Sequence, residues 1–155
     1  MWKEWFMKKK KHHQEKYPVK DISYHELKRA IRTFSKDLPP KIPLKVIIND
    51  DLSIDYTLLA PILKAIPKDT FYMSKETYEI FEEKDLPIAI ALDQVQQAVD
   101  QYLAQKNELP VIDHDPYQKV NFFKLEQLQL IQERPDMDFY ITDQENLVTT
   151  KKPQS

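Results

Sequence analysis

Phe71-Tyr72-Met73-Ser74 returns 68 positions later as Phe139-Tyr140-Ile141-Thr142. The order aromatic, aromatic, apolar, hydroxyl is kept. Working outward, the same offset pairs Ile22 with Ile90, Leu27 with Val95, Ala30 with Ala98, Ile31 with Val99 and Phe34 with Tyr102. One residue then drops out and Pro43 meets Pro110. An offset of 66 pairs Ile54 with Val120, Asp55 with Asn121, Tyr56 with Phe122, Leu59 with Leu125 and Ile62 with Leu128. Pro67 meets Pro135 back at 68. Ordered matches that preserve chemical type predict an internal duplication. The halves are 18–83 and 86–150. Two units suit a pseudo-symmetric pair better than a solenoid, which usually takes three or more repeats.

Each half follows the same grammar. Ser23-x-x-Glu26 is a capping box, and Leu27, Ala30, Ile31 and Phe34 follow at helical spacing. The spacing predicts a helix over 24–36, stopped by Pro39-Pro40. In the second half Asp93-x-x-Gln96 opens a helix striped by Val95, Ala98, Val99, Tyr102 and Leu103. The apolar run Ile88–Ala91 before it reads as a buried strand, as does Leu44–Ile48. Asp55 and Asn121 take matched N-cap positions. Short helices are predicted after them at 56–65, kinked or split by Pro61, and at 122–131. Hairpins close each half, Thr70–Met73 to Tyr78–Phe81 and Phe139–Ile141 to Leu147–Thr149. Ser74–Thr77 and Asp143–Asn146 form their loops. The fold class is α+β, two pseudo-symmetric helix–helix–hairpin repeats sharing one sheet-and-helix core.

Composition narrows the chemistry. Among 155 residues there are no Cys, no Gly and 11 Pro, with 41% hydrophobic residues. Without Cys there are no disulfides, thiol catalysis or Cys-ligated metals. Without Gly, phosphate-cradling loops, dinucleotide fingerprints and Gly-flanked nucleophile turns are excluded, because their backbone positions call for Gly. The net charge of −2 hides seven Lys against two Glu in residues 1–20. Residues 1–17 form a basic, aromatic segment expected to be flexible. It holds Trp2, Trp5 and Phe6, then Lys8, Lys9, Lys10 and Lys11, then His12-His13. Residues 151–155 read as a disordered tail. The Lys run follows the aromatics rather than preceding an apolar run, so no secretory signal is read. The longest apolar stretch, Leu86–Leu92, is far below the roughly 20 residues of a membrane span. The expected compartment is the cytoplasm, with the inner face of the membrane as a point of contact for the N-terminal segment.

Parts of the second half resemble known patterns. Leu125-x-x-Leu128-x-Leu130-Ile131, Glu133-Arg134-Pro135 and Phe139-Tyr140-Ile141-Thr142 resemble the end of a winged helix, where a recognition helix runs into a two-stranded wing. That family packs two helices just before the recognition helix, and here Lys106–Lys119 is proline-rich and short. Val99–Pro110 into Phe122–Ile141 is similar to the soluble part of type IV pilins and pseudopilins, whose hydrophobic N-terminal helix this chain lacks. Glu108-Leu109-Pro110-Val111-Ile112 and Asp138-Phe139-Tyr140-Ile141-Thr142-Asp143 resemble an uncharacterised protein family of Bacillus and its relatives. That resemblance implies no activity.

Candidate sites are few. Asp50 and Asp51 in one half, and Asp113, His114 and Asp115 in the other, combine hard oxygens with an imidazole and are the metal candidates. Turn chemistry explains the same residues, since Asp and Asn bond local backbone N–H groups. Trp2, Trp5, Phe6 and Lys8–Lys11 are membrane-contact candidates, because aromatics favour the interface and lysines are drawn to anionic lipid. Lys28, Arg29, Arg32 and Lys36 lie on the outward side of the first helix, suited to phosphates or an acidic partner. Tyr24, Tyr56, Tyr72, Tyr78, Tyr117, Phe122, Phe123 and Tyr140 exceed what a small core needs; packing between the two repeats is the favoured explanation, and a partner protein or self-association the other. Residues 119–134 carry too few cations for a duplex reader, so nucleic acid is disfavoured. No cofactor is called for. The expected function is a non-enzymatic binding or scaffold protein whose N-terminal segment is either free, as a solvated solubilising head, or in contact with a membrane. A winged-helix-like DNA-binding regulator is the alternative, and a metal-dependent hydrolase on the two acidic corners stays open.

Overall fold

The computed structural model describes residues 16–153. The fold is α+β. The chain divides into two compact units, Met1–Leu86 and Pro87–Ser155.

In the first unit β1 (Val19–Lys20) pairs in parallel with β2 (Ile66–Pro67). Between them runs α1 (Tyr24–Asp37). Both halves of its capping box form: Ser23 Oγ accepts from Glu26 N at 3.1 Å, and the Glu26 carboxylate accepts from Ser23 N at 2.9 Å. Leu27, Ala30, Ile31 and Phe34 are buried as one stripe. The helix ends at Leu38, held extended by the proline that follows.

Leu44–Ile48 departs from the expected strand. Leu44–Ile47 winds into a 3-10 turn behind Pro43, and only Ile48 enters the ladder, opposite Ile54. Val46 N and Ile48 N find the carbonyls of Pro43 and Lys45 at 3.2 and 3.0 Å. Local partners thus satisfy the backbone where no neighbouring strand offers any. The second helical stretch splits as Pro61 suggests. Tyr56–Leu58 is a 3-10 turn capped by Asp55, and α2 (Ala60–Leu63) carries Pro61 in its first turn, where a missing N–H costs nothing. A hairpin closes the unit, β3 (Phe71–Met73) antiparallel to β4 (Ile80–Glu82). Its loop is Lys75–Tyr78, one residue later than the sequence suggested, because Ser74 N bonds Glu79 O at 2.9 Å.

In the second unit the expected strand at Ile88–Ala91 is absent. One helix, α3 (Leu86–Lys106), runs through it, and Asp93 is a buried interior residue rather than a cap. An apolar run shows no period of its own, and here the helix buries more than half of its circumference. The next helix, α4 (Phe122–Gln127), is shorter than the predicted 122–131. It stops because Gln129 turns left-handed and Leu130 N bonds back to Leu125 O at 3.0 Å. Asn121 caps it, accepting from Phe123 N and Lys124 N. The hairpin β5 (Tyr140–Ile141) and β6 (Val148–Thr149) follows.

The two units use corresponding hydrogen bonds. In the first, Ile54 N bonds Phe71 O at 3.1 Å, Met73 N bonds Leu52 O at 2.9 Å and Ser74 N bonds Glu79 O. In the second, Val120 N bonds Phe139 O at 2.8 Å, Ile141 N bonds Gln118 O at 3.0 Å and Thr142 N bonds Leu147 O. Left-handed residues correspond too: Leu52 with Gln118 and Tyr78 with Asn146.

In a chain without glycine, nine described residues hold positive φ. The premise that such positions call for Gly therefore does not hold here. Side chains with a Cβ occupy them at a cost of roughly 1 kcal/mol each. Lys64 (φ 57°) closes α2 by donating its N–H to Ala60 O at 2.7 Å. Lys64→Gly is expected to raise stability by about 0.5–1 kcal/mol, since Gly meets no steric penalty there. A thermal melt showing equal or lower stability would refute that.

Candidate functional site

The acidic corners are turns. In the first, Asp51 accepts from Ser53 N at 2.9 Å and from Ser53 Oγ, and these bonds hold its carboxyl below the usual range. Asn49 Nδ2 donates to the same hydroxyl at 3.0 Å. Asp50 reaches Lys75 at 3.7 Å. In the second corner, Asp115 uses both oxygens, one on Tyr117 N at 3.1 Å and one on Lys119 N at 3.0 Å. Asp113 pairs with Lys124 at 3.3 Å, and His114 is exposed in a left-handed conformation. Each corner reverses the chain ahead of isolated β-bridges and a capped helical turn. Among the described residues no group of three or more His, Asp or Glu stands together to hold a metal.

Trp2, Trp5, Phe6, Lys8, Lys9, Lys10 and Lys11, with His12 and His13, lie outside the described residues. No helix among the described residues is long and apolar enough to cross a membrane. Lys28, Arg29, Arg32 and Lys36 are exposed on α1.

Residues 119–134 carry three cations, and each has a carboxylate partner. Lys119 meets Asp138 at 3.3 Å, Lys124 meets Asp113, and Arg134 Nε meets Glu126 at 2.9 Å with a second bond from its Nη2. The Arg134 bond holds the Glu126 carboxyl below its ordinary range. The pair therefore favours the folded state above the unfolded carboxylate's range and fades as pH falls through the lowered one. Arg134→Gln is expected to move the Glu126 titration upward in an NMR pH series. An unmoved midpoint would deny that the pair persists in solution.

The aromatics expected on the surface are mostly half-buried, with only Phe123 well exposed, at 56%. The structure shows the cause. Tyr56 Oη accepts from Phe71 N at 2.7 Å and donates to Asp69 O at 2.8 Å, and burial pushes its hydroxyl pKa up. Phe122, at the matched position, sets its ring edge-on to Phe139, 6.3 Å between centroids. Tyr117 lies beneath Lys152, 4.1 Å from its ring centre.

One buried polar residue was not legible as such in the sequence. Gln96, read there only as part of the Asp93-x-x-Gln96 helix start, is 3% exposed. Its amide donates to Asn146 O and Asp100 Oδ1 and accepts from Val148 N. Nothing local marks it, because its chief partners lie about fifty residues ahead.

Residues 17–150 match a family model described as "Protein of unknown function (DUF3939)". No curated protein and no solved structure matched the chain.

Proposed function

Because the chain belongs to the DUF3939 family of unknown function, we propose from its own residues that it is a non-enzymatic binding or scaffold protein. Its N-terminal segment touches an anionic membrane surface, on the cytoplasmic side where anionic lipid is concentrated. The observation that carries this reading is the use of the candidate polar groups. Asp51, Asp55, Asp115 and Asn121 are each taken by a turn or cap, and Asp50 and Asp113 by lysines. A site poised for chemistry keeps such groups converging on a reactant. The matching hydrogen bonds and left-handed residues support reading the two units as copies of one ancestral helix–helix–hairpin element. The alternative of a duplex-binding regulator has weaker support. The three cations of 119–134 are paired, and in the second unit only α3 precedes α4, where a winged helix has two helices.

Vesicle sedimentation of the full chain tests the membrane part. Binding is expected on phosphatidylserine-containing vesicles. It should weaken with salt, as charges are screened beyond about 8–10 Å at physiological ionic strength. It should weaken again with Trp5→Ala, which removes interfacial area and leaves charge alone. Equal binding to phosphatidylcholine alone, or binding to neither, would remove the membrane contact.

A further inference from the structure

The first unit carries a charged face that the fold does not use. Lys28, Arg29, Arg32 and Lys36 are all exposed on α1. At about 100° per residue they share an arc of roughly 100°, opposite the buried stripe. The acids of this helix, Glu26 and Asp37, fall outside the arc. Glu26 is moreover held by the cap, on Ser23 N. Among the described residues, none of the four cations forms an ion pair with a carboxylate. Lys28 only approaches the Tyr24 ring, at 6.0 Å. The other ion pairs described engage Lys75, Lys84, Lys119, Lys124 and Arg134.

Exposed apolar groups accompany that face. Among the described residues of this unit, the large exposed hydrophobics are Val19, 65% exposed, and Ile62, 37% exposed. Ile62 lines a shallow hollow of about 330 Å³ with Ile22, Ala30, Arg29 and the cap-held Glu26. Val19 stands in β1, just before α1. The chain is also electrically divided at the end of this face. Residues 1–36 hold eleven Lys and Arg against four Asp and Glu, while 37–155 hold twelve against twenty-one. The first 36 residues therefore carry +7 and the rest −9.

We propose that the basic face of α1, with Ile62 at its Arg29 edge and Val19 exposed in the strand before it, is a docking surface for an anionic lipid bilayer, working together with the N-terminal segment. The inference rests on the membrane contact proposed above and extends it into the folded unit. Phosphate and carboxylate headgroups meet the four cations, which supply attraction without a fixed pocket. Val19 and Ile62 have no hydrogen-bonding side chain to offer a nucleic acid, yet gain by leaving water at the acyl boundary. Two modest contacts from one end of the chain hold a protein to a surface where either alone is marginal.

The test uses the full chain with vesicles of phosphatidylcholine containing about 30 mol% phosphatidylserine. The variant Lys28→Gln/Arg29→Gln/Arg32→Gln/Lys36→Gln is expected to lose at least about tenfold in binding. The swap Lys28→Arg/Arg29→Lys/Arg32→Lys/Lys36→Arg should bind within about threefold of the parent, which separates charge from folding. Melting curves of both should overlay the parent's. If the neutral variant binds like the parent while Trp5→Ala does not, this inference is overturned and the N-terminal contact stands. If the parent binds no vesicle, both are overturned. If it prefers a DNA duplex of roughly 20 base pairs and the neutral variant loses that, the face is a nucleic-acid surface instead.

Discussion

Phe139→Ala is expected to cost about 3–5 kcal/mol, the largest single loss in the second unit. The side chain is fully buried and packs edge-on to Phe122. Its backbone carbonyl receives Val120 N at 2.8 Å, so the ring anchors the point where the incoming strand joins the hairpin. Truncation removes transfer free energy and leaves a cavity beside Phe122. For a chain of this length the midpoint should fall by roughly 8–15 °C. Phe139→Leu should lose less, about 1–1.5 kcal/mol, because most of the volume remains. Denaturant titration of both variants measures the difference. A loss under about 1 kcal/mol for the alanine variant would mean the site collapses freely and the ring is not an anchor.

Gln96→Leu is the second large effect, at about 2–4 kcal/mol. The shape is nearly kept, so packing is not the cause. Val148 N, bonded to Gln96 Oε1 at 2.7 Å, loses its acceptor inside the protein. Asn146 O loses the amide proton it receives at 3.1 Å. Each buried polar group left unpaired costs about 1–3 kcal/mol. Gln94→Leu, on the exposed side of the same helix, should stay within about 0.5 kcal/mol. Amide exchange adds a local readout: Val148 should lose protection beyond the global change. If Gln96→Leu melts with the parent, the hairpin is held by its own ladder and the clamp is incidental.

Both effects bear on how far the sequence could be read. The α1 helix was legible because cap, stripe and stop all act within a few residues of one another. Asp55 and Asn121 were legible as caps for the same reason, each bonding N–H groups two or three residues on. The hairpins were found from aromatic and β-branched runs, with one loop displaced by a residue because Ser74 bonds across to Glu79. Leu44–Ile48 and Ile88–Ala91 misled. A short apolar run has no period to separate strand from helix. In one case a proline and two local carbonyls settled it, and in the other the continuation into a 21-residue helix.

The candidate site divided in the same way. That the acidic corners are turns lay in their spacing, since Asp51 and Asp115 bond residues two to four positions on. That the first helix shows a basic face follows from its period alone. What the sequence determined by itself, then, is whatever acts within about one helical turn: caps, stripes, turns and the charge carried by each stretch. The tertiary structure alone decided which polar groups are buried and by whom they are satisfied. Gln96 meets Asn146 and Val148, and Tyr56 meets Phe71, across 15 to 52 residues of chain. The physical reason is that a hydrogen-bond partner is chosen by distance in space, while a sequence pattern records distance along the chain.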